Sequence, residues 1–171
     1  LVMLLTYARL QLTFLIGVKL FKRSLHREQL FGFTVQFFNY ELFLFLFEEI
    51  FIWKQYDFTA ATDHPIIFDC GSNIGMSILY FKRAYPDCVI IGFEADRKTF
   101  ELLKENVSHN GLQHVTVFNR AVSDTTGTVD FYSDPDLPGS LAMTTEPGRG
   151  LKATTRVETT PLSEHLSGEI D

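Results

Sequence analysis

Between Pro65 and Asp96 the sequence reads PIIFDCGSNIGMSILYFKRAYPDCVIIGFEAD, and its acids and glycines are spaced for binding chemistry. Asp69 ends a short apolar run, Gly71-Ser72-Asn73-Ile74-Gly75 makes a turn, and Glu94-Ala95 follows a second apolar run. Glycine belongs in such a turn because a ligand approaches the backbone only where no Cβ stands in the way. A carboxylate roughly 20 residues past the glycines is placed to accept hydrogen bonds from ribose hydroxyls. The pattern therefore points to a nucleoside-bearing cofactor.

The spacing narrows the choice. A dinucleotide site uses G-x-G-x-x-G, and a phosphate-cradling P-loop ends in G-K-S/T; neither is present. Asp69 would repel a pyrophosphate, whereas it suits a cofactor that carries an ammonium and a sulfonium. S-adenosylmethionine is such a cofactor. On this reading Gly71, Ser72, Asn73 and Gly75 hold its methionine part, Asp69 meets the ammonium, and Glu94 takes the ribose hydroxyls.

Further motifs follow in order: G-F-E-A-D at 92–96, L-K-E-N-V-S-H-N-G at 103–111 and N-R-A-V-S-D at 119–124. Together with D-C-G-S-N-I-G at 69–75, this set resembles the FkbM family of methyltransferases, from about Tyr56 to the last residue. The resemblance implies an S-adenosylmethionine-dependent enzyme that methylates a hydroxyl or carboxyl oxygen on a small molecule or glycan. It also implies an adenine-side role for Asn119 and Ala121, with Ala95 beside Glu94. Members continue into a strand ending in K-x-D-x-E-G, whose acids lie nearest the methyl-transfer site. Gly168–Asp171 resembles the approach to that strand, so the chain is expected to be C-terminally truncated, and no catalytic residue is assigned.

These residues need elements to position them. Ile66–Phe68 is short and β-branched or aromatic, which predicts a strand buried on both faces of a parallel sheet. Ile74, Ile78, Phe81 and Tyr85 recur at helical spacing, Pro86 stops that helix, and Val89–Phe93 is a second strand. Asp96 can cap a helix from Arg97 to about Asn110, with Phe100, Leu103 and Val107 inward. Val115–Phe118 is a third strand, whose carboxyl end the reading sets beside that of the first. Thr128–Tyr132 and Ala153–Thr159 are strands, 134–150 is a loop over the site, and Pro161–Leu166 is a short helix with Leu162 and Leu166 inward. The predicted class is α/β: a Rossmann-like, doubly wound, mostly parallel sheet with helices on both faces, incomplete at its C-terminus.

Residues 1–55 form an N-terminal extension ahead of the cofactor domain at 56–171. Leu1–Phe21 is apolar but interrupted by Arg9, Gln11 and Lys19. It reads as an amphipathic helix packed on the domain in preference to one lying on a membrane surface through residues 1–23. Phe31–Phe38 reads as a strand, and the Glu41–Trp53 run as a buried helix. In the family it resembles, that helix leads to Tyr56; Tyr56 and Phe58 then either close over the cofactor or pack in the core.

The 171 residues carry a formal charge of −6, all of it beyond Pro65, which disfavours a nucleic-acid partner. Cys70 and Cys88 are too few for a disulfide framework and form no metal-ligand pattern; Cys70 reads as a small buried thiol. A reducing, cytoplasmic setting fits both. His114 and His165 read as satisfied surface residues. Two other classes stand beside the enzyme reading: a dinucleotide oxidoreductase, which should show the absent glycine spacing, and a non-catalytic interaction module.

Overall fold

In the computed structural model, residues 1–134, 136–146 and 152–166 are described. The chain divides into two units, Leu1–Thr59 and Ala60–Asp171.

The first unit begins with helix α1, Val2–Leu12, which widens into a π-helical stretch over Thr13–Leu20. A hairpin follows, β1 (Arg27–Leu30) paired antiparallel with β2 (Phe33–Gln36). Where the sequence predicts one strand from Phe31, that residue turns the chain with Gly32. Both have positive φ, +53° and +95°, the two-residue geometry that matches strand twist in a tight hairpin. Phe31 tolerates this because its ring packs on Phe47 and Phe51. Helix α2 (Tyr40–Phe47) starts at Asn39, whose side-chain oxygen accepts the Leu42 N–H at 2.7 Å, and runs into a π-helical end at Glu48–Ile52. The run is helical, as predicted, but ends at Ile52: Phe43, Phe47, Ile50 and Phe51 are buried, with Phe37 and Phe43 stacked at 4.3 Å, whereas Phe45 and Trp53 are exposed. Tyr56 and Phe58 are each 43% exposed, so neither is core.

The second unit carries the sheet. Strands β3 (Ile66–Cys70), β4 (Val89–Phe93) and β5 (Val115–Phe118) are parallel, in the order β3-β4-β5. Helices α3 (Met76–Ala84) and α4 (Arg97–His109) make the crossovers that parallel strands require. This bears out the Rossmann-like α/β expectation. Three details differ. Strand β5 pairs with β4, so its carboxyl end lies beside that of the second strand and not the first. The face of β3 that carries Ile66 and Phe68 is only half covered, while Ile67 and Asp69 are buried. Helix α3 is buried from Met76 to Lys82 on every side, more than the single apolar stripe predicts; Lys82 reaches the carbonyls of Pro86 and Cys88 to satisfy its ammonium.

Beyond β5 the chain forms a second sheet in the order β6-β8-β7, from β6 (Ala121–Val122), β7 (Gly127–Ser133) and β8 (Lys152–Thr160). β7 and β8 are antiparallel, and β6 runs parallel to β8. A single 3₁₀ turn, Leu162–Glu164, replaces the expected helix, and Leu166 is 43% exposed instead of inward. Six residues opening on a proline are too few to nucleate a stable α-helix. The predicted approach at Gly168–Asp171 lies outside the described residues.

Candidate functional site

The turn after β3 is held by backbone bonds before any side chain acts. Gly71 N–H and Ser72 N–H both donate to the Phe93 carbonyl, at 2.9 and 2.8 Å, which ties the turn to the end of β4. Gly71, Asn73 and Gly75 have φ of +93°, +48° and +91°, a left-handed series in which glycine is nearly free of cost. At Gly75 an added Cβ would lie 2.8 Å from Leu103 Cδ1 of α4, so glycine there is also a packing requirement. At Gly71 an added Cβ would meet nothing within 4 Å. That open side belongs to a cavity.

The cavity, of about 320 Å³, is lined by Cys70, Gly71, Asn73, Phe93, Glu94 and Ala95 at the strand ends and by Arg120, Ala121 and Val122 around β6. Phe131, Ser140, Leu141 and Met143 complete the wall. The described part of the 134–150 loop thus does border the site, and Asn73 Nδ2 donates to its Gly139 carbonyl at 2.8 Å.

Of the sequence-predicted residues, Gly71, Asn73, Glu94, Ala95 and Ala121 meet around this one space. The other four stand behind it. The Asp69 carboxylate is buried and accepts the Ser77 hydroxyl at 2.7 Å, so here it anchors the start of α3 rather than facing an ammonium. Burial raises its pKa above the ordinary carboxylate range. Ser72 Oγ donates to the Asp69 carbonyl, and Gly75 N–H to the Ser72 carbonyl. Asn119 Nδ2 donates to the carbonyls of both Glu94 and Ala95, at 2.8 and 2.9 Å, because β5 ends beside β4.

The Glu94 carboxylate is bonded through both oxygens. Its Oε2 accepts the Asn73 N–H at 2.9 Å and its Oε1 the Asp96 N–H at 2.8 Å. Burial pushes its pKa up to about 7, against the lowering effect of those two bonds. Asp96 in turn caps α4, accepting from Thr99 N–H and Thr99 Oγ–H. Cys70 is exposed at the cavity, not buried as expected. Partial desolvation and the nearby Asp69 charge push its thiol pKa up, which argues against a nucleophile.

Sequence reasoning missed two supports. Asn106, inside the 103–111 motif, is 2% exposed, and its Nδ2 donates to the Ile74 carbonyl at 2.8 Å. Its position on the inner face of α4, between Leu103 and Asn110, is the signal that marks it. Asn106→Ala should leave that carbonyl unpaired and destabilise the fold by about 1–3 kcal/mol, read as a lowered denaturant midpoint. His165 is the other: its ring packs on Phe93 and Phe118 at 5.0 and 4.8 Å, and Nε2 lies 3.0 Å from Thr160 Oγ1. It is satisfied, but half-buried.

No family model matches the chain. Two curated fungal proteins do. Methyltransferase sdnD of Sordaria araneosa is 34% identical over 103 residues, covering 60% of this chain and 40% of that protein. Methyltransferase 1 of Beauveria bassiana (strain ARSEF 2860) is 35% identical over 104 residues, covering 60% and 41%. The chain thus spans less than half the length of either relative. Among solved structures, methyltransferase FkbM from Methylobacillus flagellatus KT aligns with a TM-score of 0.45 at 16% identity, over 64% of this chain and 25% of that one. Over the matched residues the chain is similar to proteins named methyltransferases.

Proposed function

We propose that this chain supplies the S-adenosylmethionine-binding part of a methyltransferase whose acceptor is a hydroxyl or carboxyl oxygen of a small molecule or glycan. The observation that carries the proposal is the cavity at the carboxyl ends of β3 and β4, where the open side of Gly71 and the buried carboxylate of Glu94 face one space. Ligands of open parallel sheets bind at that end. The lining is mixed: apolar Phe93, Ala121, Phe131 and Met143 suit an adenine ring, and Glu94 suits ribose hydroxyls. When bound, the cofactor would present an electrophilic methyl group on a sulfonium.

The chain's own residues bind and orient. Gly71 and Asn73 let the backbone approach the ligand, Glu94 accepts from its hydroxyls, and Asn119 fixes the Glu94-Ala95 peptide through its two carbonyls. Because methyl transfer is an in-line displacement, holding the two partners in register supplies much of the acceleration. A dinucleotide is the poorer fit, since no second glycine precedes Gly71 to admit a pyrophosphate.

The raised pKa of Glu94 gives a test through pH. Its folded value of about 7 lies above the ordinary 4.5. The group therefore contributes stability that is full below about 4.5 and lost as pH rises through 7. Ligand binding has the opposite sign, because ribose hydroxyls donate to the ionised form. Affinity for S-adenosylhomocysteine should rise about tenfold between pH 6 and pH 8, following the ionised fraction. Calorimetric titration across that range measures it. A flat profile would remove Glu94 from the site.

A further inference from the structure

The first helix packs Leu10 and Phe14 inward but leaves most of its leucines exposed. Its polar side chains turn into its own unit: Tyr7 Oη donates to Glu48 at 2.6 Å, Gln11 to Tyr7 Oη and Glu48, and Arg9 pairs with Glu28 at 2.7 Å. Glu28 is 9% exposed and also accepts from Tyr40, so that side of the helix is fixed to the hairpin and α2. Leucine lies on the other side. Leu5, Leu12, Leu15 and Leu20 are between 57% and 69% exposed, with Leu4 and Ile16 beside them. Leu10 alone of Val2–Leu20 is fully buried. An amphipathic surface helix puts its apolar residues inward; this one buries Leu10 and stacks Phe14 on Tyr40, yet leaves a second set of leucines to the surroundings.

The charge around that stripe identifies what covers it. Residues 1–27 contain Arg9, Lys19, Lys22, Arg23 and Arg27 and no Asp or Glu, in a chain whose net charge is −6. Lys22 and Arg23 are exposed just past the helix end, where Lys22 turns the chain with φ +54°. Arg9 is paired with Glu28 and Lys19 with Glu41, so the charge at the helix end rests on the exposed Lys22 and Arg23; a leucine face that ends in such a basic pair is complementary to a lipid surface with anionic headgroups. A second copy of the helix would bring no acid to that basic end.

The helix is long and apolar enough to cross a bilayer. Its polar face argues against spanning, because Arg9, Tyr7 and Gln11 are bonded to protein acids that would have to enter the hydrocarbon with it. We infer that Val2–Leu20 lies in the plane of an anionic membrane surface, leucines down, with Lys22 and Arg23 at the headgroups. The sequence reading preferred packing on the domain. Tyr7, Leu10, Gln11 and Phe14 pack within the first unit, and the exposed leucines are left for the lipid.

Vesicle flotation tests this with the chain itself. It should float with phosphatidylcholine vesicles that contain phosphatidylserine, and weakly with phosphatidylcholine alone. Lys22→Glu with Arg23→Glu should weaken binding to the anionic vesicles by more than about tenfold, since each basic residue contributes about fivefold. Leu12→Gln with Leu15→Gln should abolish binding to both, with an unchanged thermal midpoint because both leucines are exposed. Failure to float with either vesicle would overturn the inference. So would a chain that sediments as a dimer which Leu12→Gln dissociates.

Discussion

Glu94→Ala is expected to weaken binding of S-adenosylhomocysteine by about tenfold to a hundredfold, the worth of hydrogen bonds to a charged group, about 1.5–3 kcal/mol. Two effects combine. The ribose hydroxyls lose their acceptor, and the turn loses the group that holds it, because Glu94 accepts both the Asn73 and the Asp96 N–H. Both peptide groups border a residue that is 6% exposed, so water replaces the carboxylate poorly. Glu94→Gln separates the effects. The amide keeps one oxygen acceptor and the side-chain volume, so the fold should survive while the pH dependence of binding disappears. Titration and a thermal midpoint on both variants decide the matter. Unchanged affinity in Glu94→Ala would contradict its role.

Gly75→Val should destabilise the fold by about 2–6 kcal/mol, measured as a shift in denaturant midpoint. Its φ of +91° would cost a branched residue about 1–3 kcal/mol in strain. The new side chain would also collide with Leu103 of α4, 2.8 Å from the Cβ position, and overpacking adds about 1–3 kcal/mol. Gly71→Val is the informative contrast. It shares the positive φ, but nothing stands within 4 Å of its Cβ, so it should cost the strain alone. Its side chain would occupy the cavity, and ligand binding should be lost from a chain that still folds. If the two variants destabilise equally, the open side of Gly71 does not distinguish them.

The strand, turn, helix and strand at 66–93 were legible because each element is marked locally, by β-branched runs, glycines and Pro86. Glu94 was legible for the same reason, as an acid at a strand end. What escaped the sequence depends on residues far apart in the chain. Nothing near Asp69 shows that Ser77, eight residues on and second in α3, will take its carboxylate. Asn106 finds Ile74 across 32 residues, and His165 finds two phenylalanines of the parallel sheet. The Phe31-Gly32 turn was hidden because a bulky residue rarely takes positive φ; tertiary contacts of its ring with Phe47 and Phe51 override that preference. The N-terminal helix was readable as a helix, but which of its sides meets protein was not, since both its leucines and its polar residues could have served.

The most direct test of the cofactor assignment is calorimetric titration of the purified chain with S-adenosylhomocysteine, run beside NAD. The account predicts one site for S-adenosylhomocysteine, none for NAD, and loss of that site in Gly71→Val and Glu94→Ala. Binding of NAD in its place, or of neither ligand by the folded chain, would contradict it.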